Sequence, residues 1–111
     1  MKIMKKVEKT LFTEAVGNSP TARVLQLLII GQGFDYSLSD IVREANISWS
    51  TVHDVIPKLE KLEMIKHVRN IGMAKMYKLD KENQISKAFM ELFLKIQNNY
   101  IDNVVAKQIE V

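Results

Sequence analysis

The stretch from Leu38 to Ile65, LSDIVREANISWSTVHDVIPKLEKLEMI, constrains the chain most, because two amphipathic patterns follow one another with almost no room between them. Ser39 is placed to cap the first helix, its side-chain oxygen taking a free amide, and Asp40 complements the positive end of the helix dipole. Ile41, Val42 and Ala45 form its inward face. Asn46 falls where a chain leaving a helix needs the left-handed conformation, which Gly usually supplies and Asn tolerates. Ser48 caps the second helix, whose Val52, Ile56, Leu59 and Leu62 recur at spacings of four, three and three as one apolar stripe. Trp49, Ser50, His53, Asp54 and Lys58 point away from that stripe. Pro57 removes an amide donor and crowds the carbonyl of His53, which predicts a kink or a loosened turn there. Helices joined this tightly make a helix-turn-helix pattern.

The flanks are organised to support that pair. Ile3, Val7, Leu11 and Ala15 recur every four residues and predict a helix from Ile3 to Val16, stopped at Gly17-Asn18. Lys2, Lys5, Lys6 and Lys9 on it suit either a solvated face or a basic arm, with Glu8 and Glu14 favouring the former. Ser19-Pro20 opens the next helix, since Ser caps and Pro is tolerated at the first helical position. That helix runs to Ile30 with apolar residues on more than one side, as expected of a helix buried between layers. The GQG at Gly31 to Gly33 lacks the third glycine and the preceding strand of a nucleotide loop, and reads as a helix stop.

Phe34 to Leu38 suits a brief edge strand, with Asp35 as a turn residue. Ile65 to Arg69 and Ala74 to Leu79 read as a hairpin turning through Asn70 to Met73, with Val68, Tyr77 and Leu79 inward. Lys66, Arg69, Lys75 and Lys78 carry its charge, with no acid between Glu63 and Asp80. From Gln84 a last helix carries two stripes. Ile85, Ala88, Phe89, Leu92, Phe93, Ile96 and Tyr100 suit the core, whereas Met90, Leu94, Ile101 and Val105 lie on nearly the opposite side. One small core needs a single stripe, so the second predicts a partner helix, most simply from a second copy in a two-fold dimer.

The words SLSDIVREANIS, SWSTVHDVIPKLEKLEMI and YKL at Tyr77 to Leu79, with GNSPTARVLQLL upstream, resemble the winged helix-turn-helix transcription regulators common in archaea. These are related in fold to the arsenic-repressor and multiple-antibiotic-resistance regulators. The resemblance covers roughly Gly17 to Leu79 and rests on the order and spacing of the words. It implies a mainly α fold with a small β-hairpin: an N-terminal helix or arm over residues 1–18, a winged helix-turn-helix domain over 19–79, and a dimerisation helix over 80–111. It implies a transcriptional regulator that binds double-stranded DNA as a homodimer. Base contacts would come from Trp49, Ser50, Thr51, His53 and Asp54, and phosphate contacts from Lys58, Lys66, Arg69, Lys75 and Lys78. Such regulators commonly place Arg, Lys or Gln at the exposed start of the recognition helix, where this chain has Trp49, His53 and Asp54. That difference motivates an alternative, a protein-interaction module centred on Trp49, because exposed aromatic anchors dominate protein interfaces.

Composition agrees with a single small domain. With 111 residues there is room for one modest core, and a net charge of +3 permits a nucleic-acid partner without demanding one. Cysteine is absent, so neither disulfides nor thiolate metal sites are available. The lysine-interrupted MKIMKKVEKTLF has no signal-peptide core, and no apolar run approaches the roughly 20 residues that span a bilayer, so a cytoplasmic protein is expected. The lysine and isoleucine content suits an archaeal or viral source. No phosphate-binding loop, serine elbow or metalloprotease helix occurs, and His53 and His67 lie on different predicted elements. Neither an enzyme nor a cofactor or metal is expected, and no residue names a small-molecule effector.

Overall fold

A computed structural model describes residues 10–109. The order is α1 (Leu11–Val16), α2 (Pro20–Ile30), α3 (Leu38–Ala45), α4 (Trp49–Lys61), β1 (Ile65–Ile71), β2 (Ala74–Leu79) and α5 (Gln84–Ile109). The helix expected from Ile3 to Val16 is corrected at its start: Thr10 is extended, at φ −125° and ψ 170°, so α1 begins at Leu11, and Ile3, Val7 and the four early lysines lie outside the described residues. Thr10 caps α1, and the Thr13 hydroxyl accepts from the Thr10 amide in return.

The central element is α2. Ser19 Oγ accepts from the Ala22 amide at 3.1 Å, Pro20 stands at the first helical position, and Val24, Leu25, Leu27, Leu28 and Ile29 are all buried. Gln26, buried among them, accepts from the Thr10 hydroxyl and so ties α1 to α2. Around this helix pack Ile41 and Ala45 of α3, Val52, Val55, Ile56 and Leu59 of α4, Met64, and Tyr77 and Leu79 of β2.

Local chemistry explains the boundaries, with three corrections. The cap of α3 is Ser37, not Ser39: Ser37 Oγ accepts from the Asp40 amide and Asp40 Oδ2 accepts from the Ser37 amide, both at 3.0 Å. This reciprocal capping box satisfies two amides where Ser39 could satisfy one. Asn46 does adopt the left-handed conformation, at φ 57°. Ser48 caps α4 through the Thr51 amide at 3.1 Å. The helical assignment of α4 is unbroken through Pro57, which lies with His53 among the exposed residues. Leu62, expected in the apolar stripe, is exposed instead. The helix has ended at Lys61, Glu63 takes a left-handed turn at φ 59°, and Met64 and Ile65 fill the core in place of Leu62.

The hairpin is antiparallel and turns through Gly72-Met73 alone, with Gly72 at φ 60°. Its pairing is regular from Ile65↔Leu79 to His67↔Tyr77, skips Val68, and resumes at Arg69↔Met76. Val68 is thus a bulge residue and is exposed, contrary to its expected inward position, while Tyr77 and Leu79 are buried. The brief edge strand is present as a bridge between Tyr36 and Tyr77, with backbone bonds of 2.7 and 2.8 Å.

At its start α5 is riveted to the α4–β1 junction. Asn83 Nδ2 donates to the Leu62 carbonyl at 3.1 Å, Asn83 Oδ1 caps the Ser86 amide, and the buried Ser86 hydroxyl donates to the Met64 carbonyl at 2.9 Å. Phe89, Met90 and Phe93 pack on the core, and Phe93 meets Phe12 with ring centroids 5.7 Å apart. Met90, assigned to the outer stripe, therefore belongs to the core flank: at 100° per residue it lies closer to the Ser86–Phe93 line than Leu94 or Val105 does. Conversely Ile85, Leu92 and Tyr100 of the expected inner stripe are exposed, while Phe93 and Ile96 are half-buried. The 26 residues of α5 extend about 39 Å, and the radius of gyration is 15.2 Å against about 13 Å for a compact chain of this length.

Gly31 has an ordinary φ of −93°, so its role is space rather than a left-handed turn. A Cβ there would collide with the Tyr36 ring and hydroxyl and crowd the Leu27 carbonyl. Gly31→Ala should destabilise the fold by roughly 1–3 kcal/mol, read as a lowered thermal midpoint. Tyr36→Phe in the same background should recover part of the loss by removing the hydroxyl.

Candidate nucleic-acid interface

The N-terminal half of α4 presents the five residues expected to contact bases. Trp49, Ser50, His53 and Asp54 are exposed, and Thr51 is half-buried, its hydroxyl accepting from Ser48 Oγ at 2.8 Å. One turn apart on the helix, Trp49 and His53 bring their ring centroids to 6.1 Å. Ser50 and Asp54 form the adjoining ridge, four residues apart in the same way. Lys58 lies on the exposed side towards the C-terminal end.

The turn that leads into this helix is tied to α2 by a residue that carries no signal in the motif itself. Arg23 is the only charged residue of α2, and its guanidinium reaches across to the helix turn. Nε donates to the Ala45 carbonyl at 2.9 Å, Nη2 to the Asn46 carbonyl at 3.3 Å, and Nη1 to both the Asn18 carbonyl and Oδ1 at 3.2 Å. These carbonyls end α3 and begin the turn, so one cation satisfies orphan acceptors at the negative end of the α3 dipole. A lone charge in an otherwise apolar helix is the only trace of this in the sequence, because the partners in the turn, Ala45 and Asn46, lie more than 20 residues away.

The wing is re-aimed by its bulge. Without Val68 as an extra residue, alternation would put Arg69 on the face opposite Lys66; with it, Lys66, Lys78 and Arg69 share the outer face. There Arg69 Nε donates to Asp35 Oδ2 at 2.6 Å and Nη2 to Oδ1 at 3.2 Å. This forked bond holds the Asp35 carboxyl below its ordinary 3.8 and raises the arginine in return. Asp35, expected to be only a turn residue, is therefore the partner that orients Arg69. Lys66 lies 4.0 Å from Asp80. Lys58, Lys75 and Lys78 make no ion pair among the described residues, although the charge of Lys78 helps Arg69 to hold the Asp35 carboxyl down.

Other chemistry is sparse. Among the described residues no three His, Asp or Glu side chains come together to hold a metal ion, and no helix is long and apolar enough to cross a membrane. His67 Nε2 bonds Asn70 Oδ1 at 2.7 Å, on a different element from His53.

Comparison with solved structures identifies the architecture. MepR, a transcription regulator of the Staphylococcus aureus multidrug efflux pump MepA, superposes with a TM-score of 0.62 at 16% identity, over 96% of this chain and 82% of that one. S. aureus MepR in its DNA complex gives 0.58 at 17% identity, over 83% and 77%. The homodimeric winged helix-turn-helix DNA-binding domain of Mb0332 from Mycobacterium bovis, a possible ArsR-family regulator, gives 0.58 at 16% identity, over 84% and 81%. No family model and no curated protein matches the sequence. The fold of this chain is a winged helix-turn-helix with a long C-terminal helix.

Two outcomes follow from the site geometry. Arg23→Ala should cost roughly 1.5–3 kcal/mol in chemical denaturation, with exchange protection lost first around Ala45 and Asn46. Asp35→Asn should lower stability at neutral pH. The depressed carboxyl of Asp35 contributes fully above its unfolded value of 3.8 and loses that contribution as pH falls through the lower folded value. Thermal midpoints of the two proteins should therefore converge in strong acid.

Proposed function

We propose that the protein is a homodimeric transcriptional regulator that binds double-stranded DNA in a sequence-dependent way. The observation carrying this is the pairing of an exposed α4 face, led by a turn that Arg23 ties to α2, with a hairpin whose charged residues are all basic from Lys66 to Lys78. The N-terminal half of α4 enters the major groove. Trp49 meets a thymine methyl, Ser50, Thr51 and His53 bond to base edges, and Asp54 accepts from a cytosine amino group. Lys58, Lys75 and Lys78 are free for phosphates, whereas Lys66 and Arg69 join them by exchanging Asp80 and Asp35 for a backbone oxygen. The solved DNA complex of MepR and the homodimeric Mb0332 domain share this fold, which supports the reading.

The dimer uses α5. Leu94, Ile101 and Val105 are 57%, 54% and 47% exposed, and Tyr100 and Val104 are exposed beside them. A second copy of the same helix covers this surface, with Met90 at the edge where the interface meets the core. The two α4 helices then lie about 34–36 Å apart on successive major grooves and read a pseudo-palindrome. The protein acts in the cytoplasm, and its lysine and isoleucine content supports an archaeal or viral source.

Trp49, 51% exposed beside the acidic Asp54, supports the second reading, in which this face docks another protein. Salt dependence separates the two. Binding to a random duplex pool between about 50 and 200 mM salt should fall with a log–log slope near −5 for about six phosphate contacts, and Lys75→Gln with Lys78→Gln should flatten it. Absence of any DNA complex at the low-salt end would favour a protein partner at Trp49. Leu94→Glu with Ile101→Glu should give a monomer in sedimentation and a large loss of DNA affinity; a persistent dimer would rule out the α5 interface.

A further inference from the structure

Arg69 is the only arginine of the wing, and a guanidinium fork is the side-chain group best matched to a phosphate. In this structure the fork is already occupied. Asp35 Oδ2 accepts from Nε at 2.6 Å and Oδ1 from Nη2 at 3.2 Å, the forked arrangement by which a guanidinium also holds a phosphate. Docking of the wing has other bonds to rely on. Tyr36, the residue after Asp35, joins β2 through backbone bonds of 2.7 and 2.8 Å, and an exposed ion pair adds little stability. A second cation stands by the same carboxylate. Lys78 lines one shallow cleft with Asp35 and Arg69, and its charge joins the Arg69 bond in holding the Asp35 carboxyl down.

A carboxylate in this place sets up a competition. For Arg69 to reach the DNA backbone, one ion pair must break as another forms. The charge left on Asp35 then draws in a cation, which offsets the one released from the DNA, and Lys78 is the cation at hand. We propose that Asp35 is an intramolecular competitor of the DNA backbone: it occupies Arg69 in the free protein and engages Lys78 once Arg69 turns to a phosphate. This rests on the DNA-binding reading and sets a limit on it. Each protomer delivers one of these two cations to DNA, although the sequence offers both. Affinity and its salt dependence both grow with the number of phosphates neutralised, so Asp35 holds both down.

The test measures affinity for a duplex enriched from a random pool, between about 50 and 200 mM salt and well below the thermal midpoints. Asp35→Asn removes the charge and keeps the shape. Each cation it releases adds about 0.9 to the log–log slope, so the slope of a dimer should steepen by about 1.8. Its advantage over the wild-type protein should then be about tenfold larger at the low-salt end than at the high-salt end. Simple repulsion between Asp35 and DNA would also be relieved by this substitution, and a second background separates the two causes. With Arg69→Gln and Lys78→Gln already in place, Asp35→Asn has no cation to release and should leave the slope unchanged. Equal steepening in that background would assign the effect to repulsion and overturn the competitor. So would an Asp35→Asn protein that binds more weakly or with an unchanged slope in the otherwise wild-type chain, since Asp35 would then only position Arg69 or stabilise the wing. No wild-type binding to any duplex at low salt would remove the DNA reading itself, and the competitor with it.

Discussion

The Arg23 guanidinium, bonded to the carbonyls of Asn18, Ala45 and Asn46, is the contact on which the geometry of the interface depends. Apolar packing brings α2, α3 and α4 together but is non-directional, and a greasy surface alone tolerates small rotations of one helix on another. Directional bonds to the end of α3 and the start of the turn remove that freedom. With Asn46 left-handed and Ser48 capping the next helix, the chain then has one path from α3 into α4. The exposed ridge of Trp49, Ser50, His53 and Asp54 is aimed by bonds that none of those residues makes.

A similar division of labour governs the wing. The Tyr36–Tyr77 bridge anchors β2 to the loop after α2, and Tyr36 can lie so close to that helix only because Gly31 has no side chain. The same loop supplies Asp35, which meets Arg69 only because the Val68 bulge changes the alternation of β1. One extra residue therefore decides which face of the hairpin carries an arginine. The forked Asp35 bond restricts that arginine on the surface, where a free side chain would keep more conformational entropy.

Capping and periodicity are local, and the sequence was legible wherever they decide the structure. Ser19-Pro20, Asn46, Ser48 and the buried Val52, Ile56 and Leu59 all behave as their spacing requires. The misplaced cap of α3 was a contest between two serines two residues apart, settled by the reciprocal bond that Asp40 can make to Ser37. Val68 and Leu62 depart from their pattern for a different reason. Both are apolar in an apolar pattern, and both are turned outward by a local irregularity, the bulge in one case and the left-handed Glu63 in the other. On α5 the pattern showed more apolar surface than one domain can cover, but not which residues the domain would take, and Met90 went to the core.

The sequence by itself determined the elements, their order and the helix-turn-helix pattern, because caps, turns and apolar stripes act between residues a few positions apart. It also determined the candidate reading residues on α4, since an amphipathic helix has only one face to offer. Tertiary structure alone decided which cations are free and which are held, that Arg23 clamps the turn, and that Asp35 orients Arg69. Those outcomes join residues 14 to 34 positions apart, and side chains so distant in the chain meet only when packing has closed the loops between them.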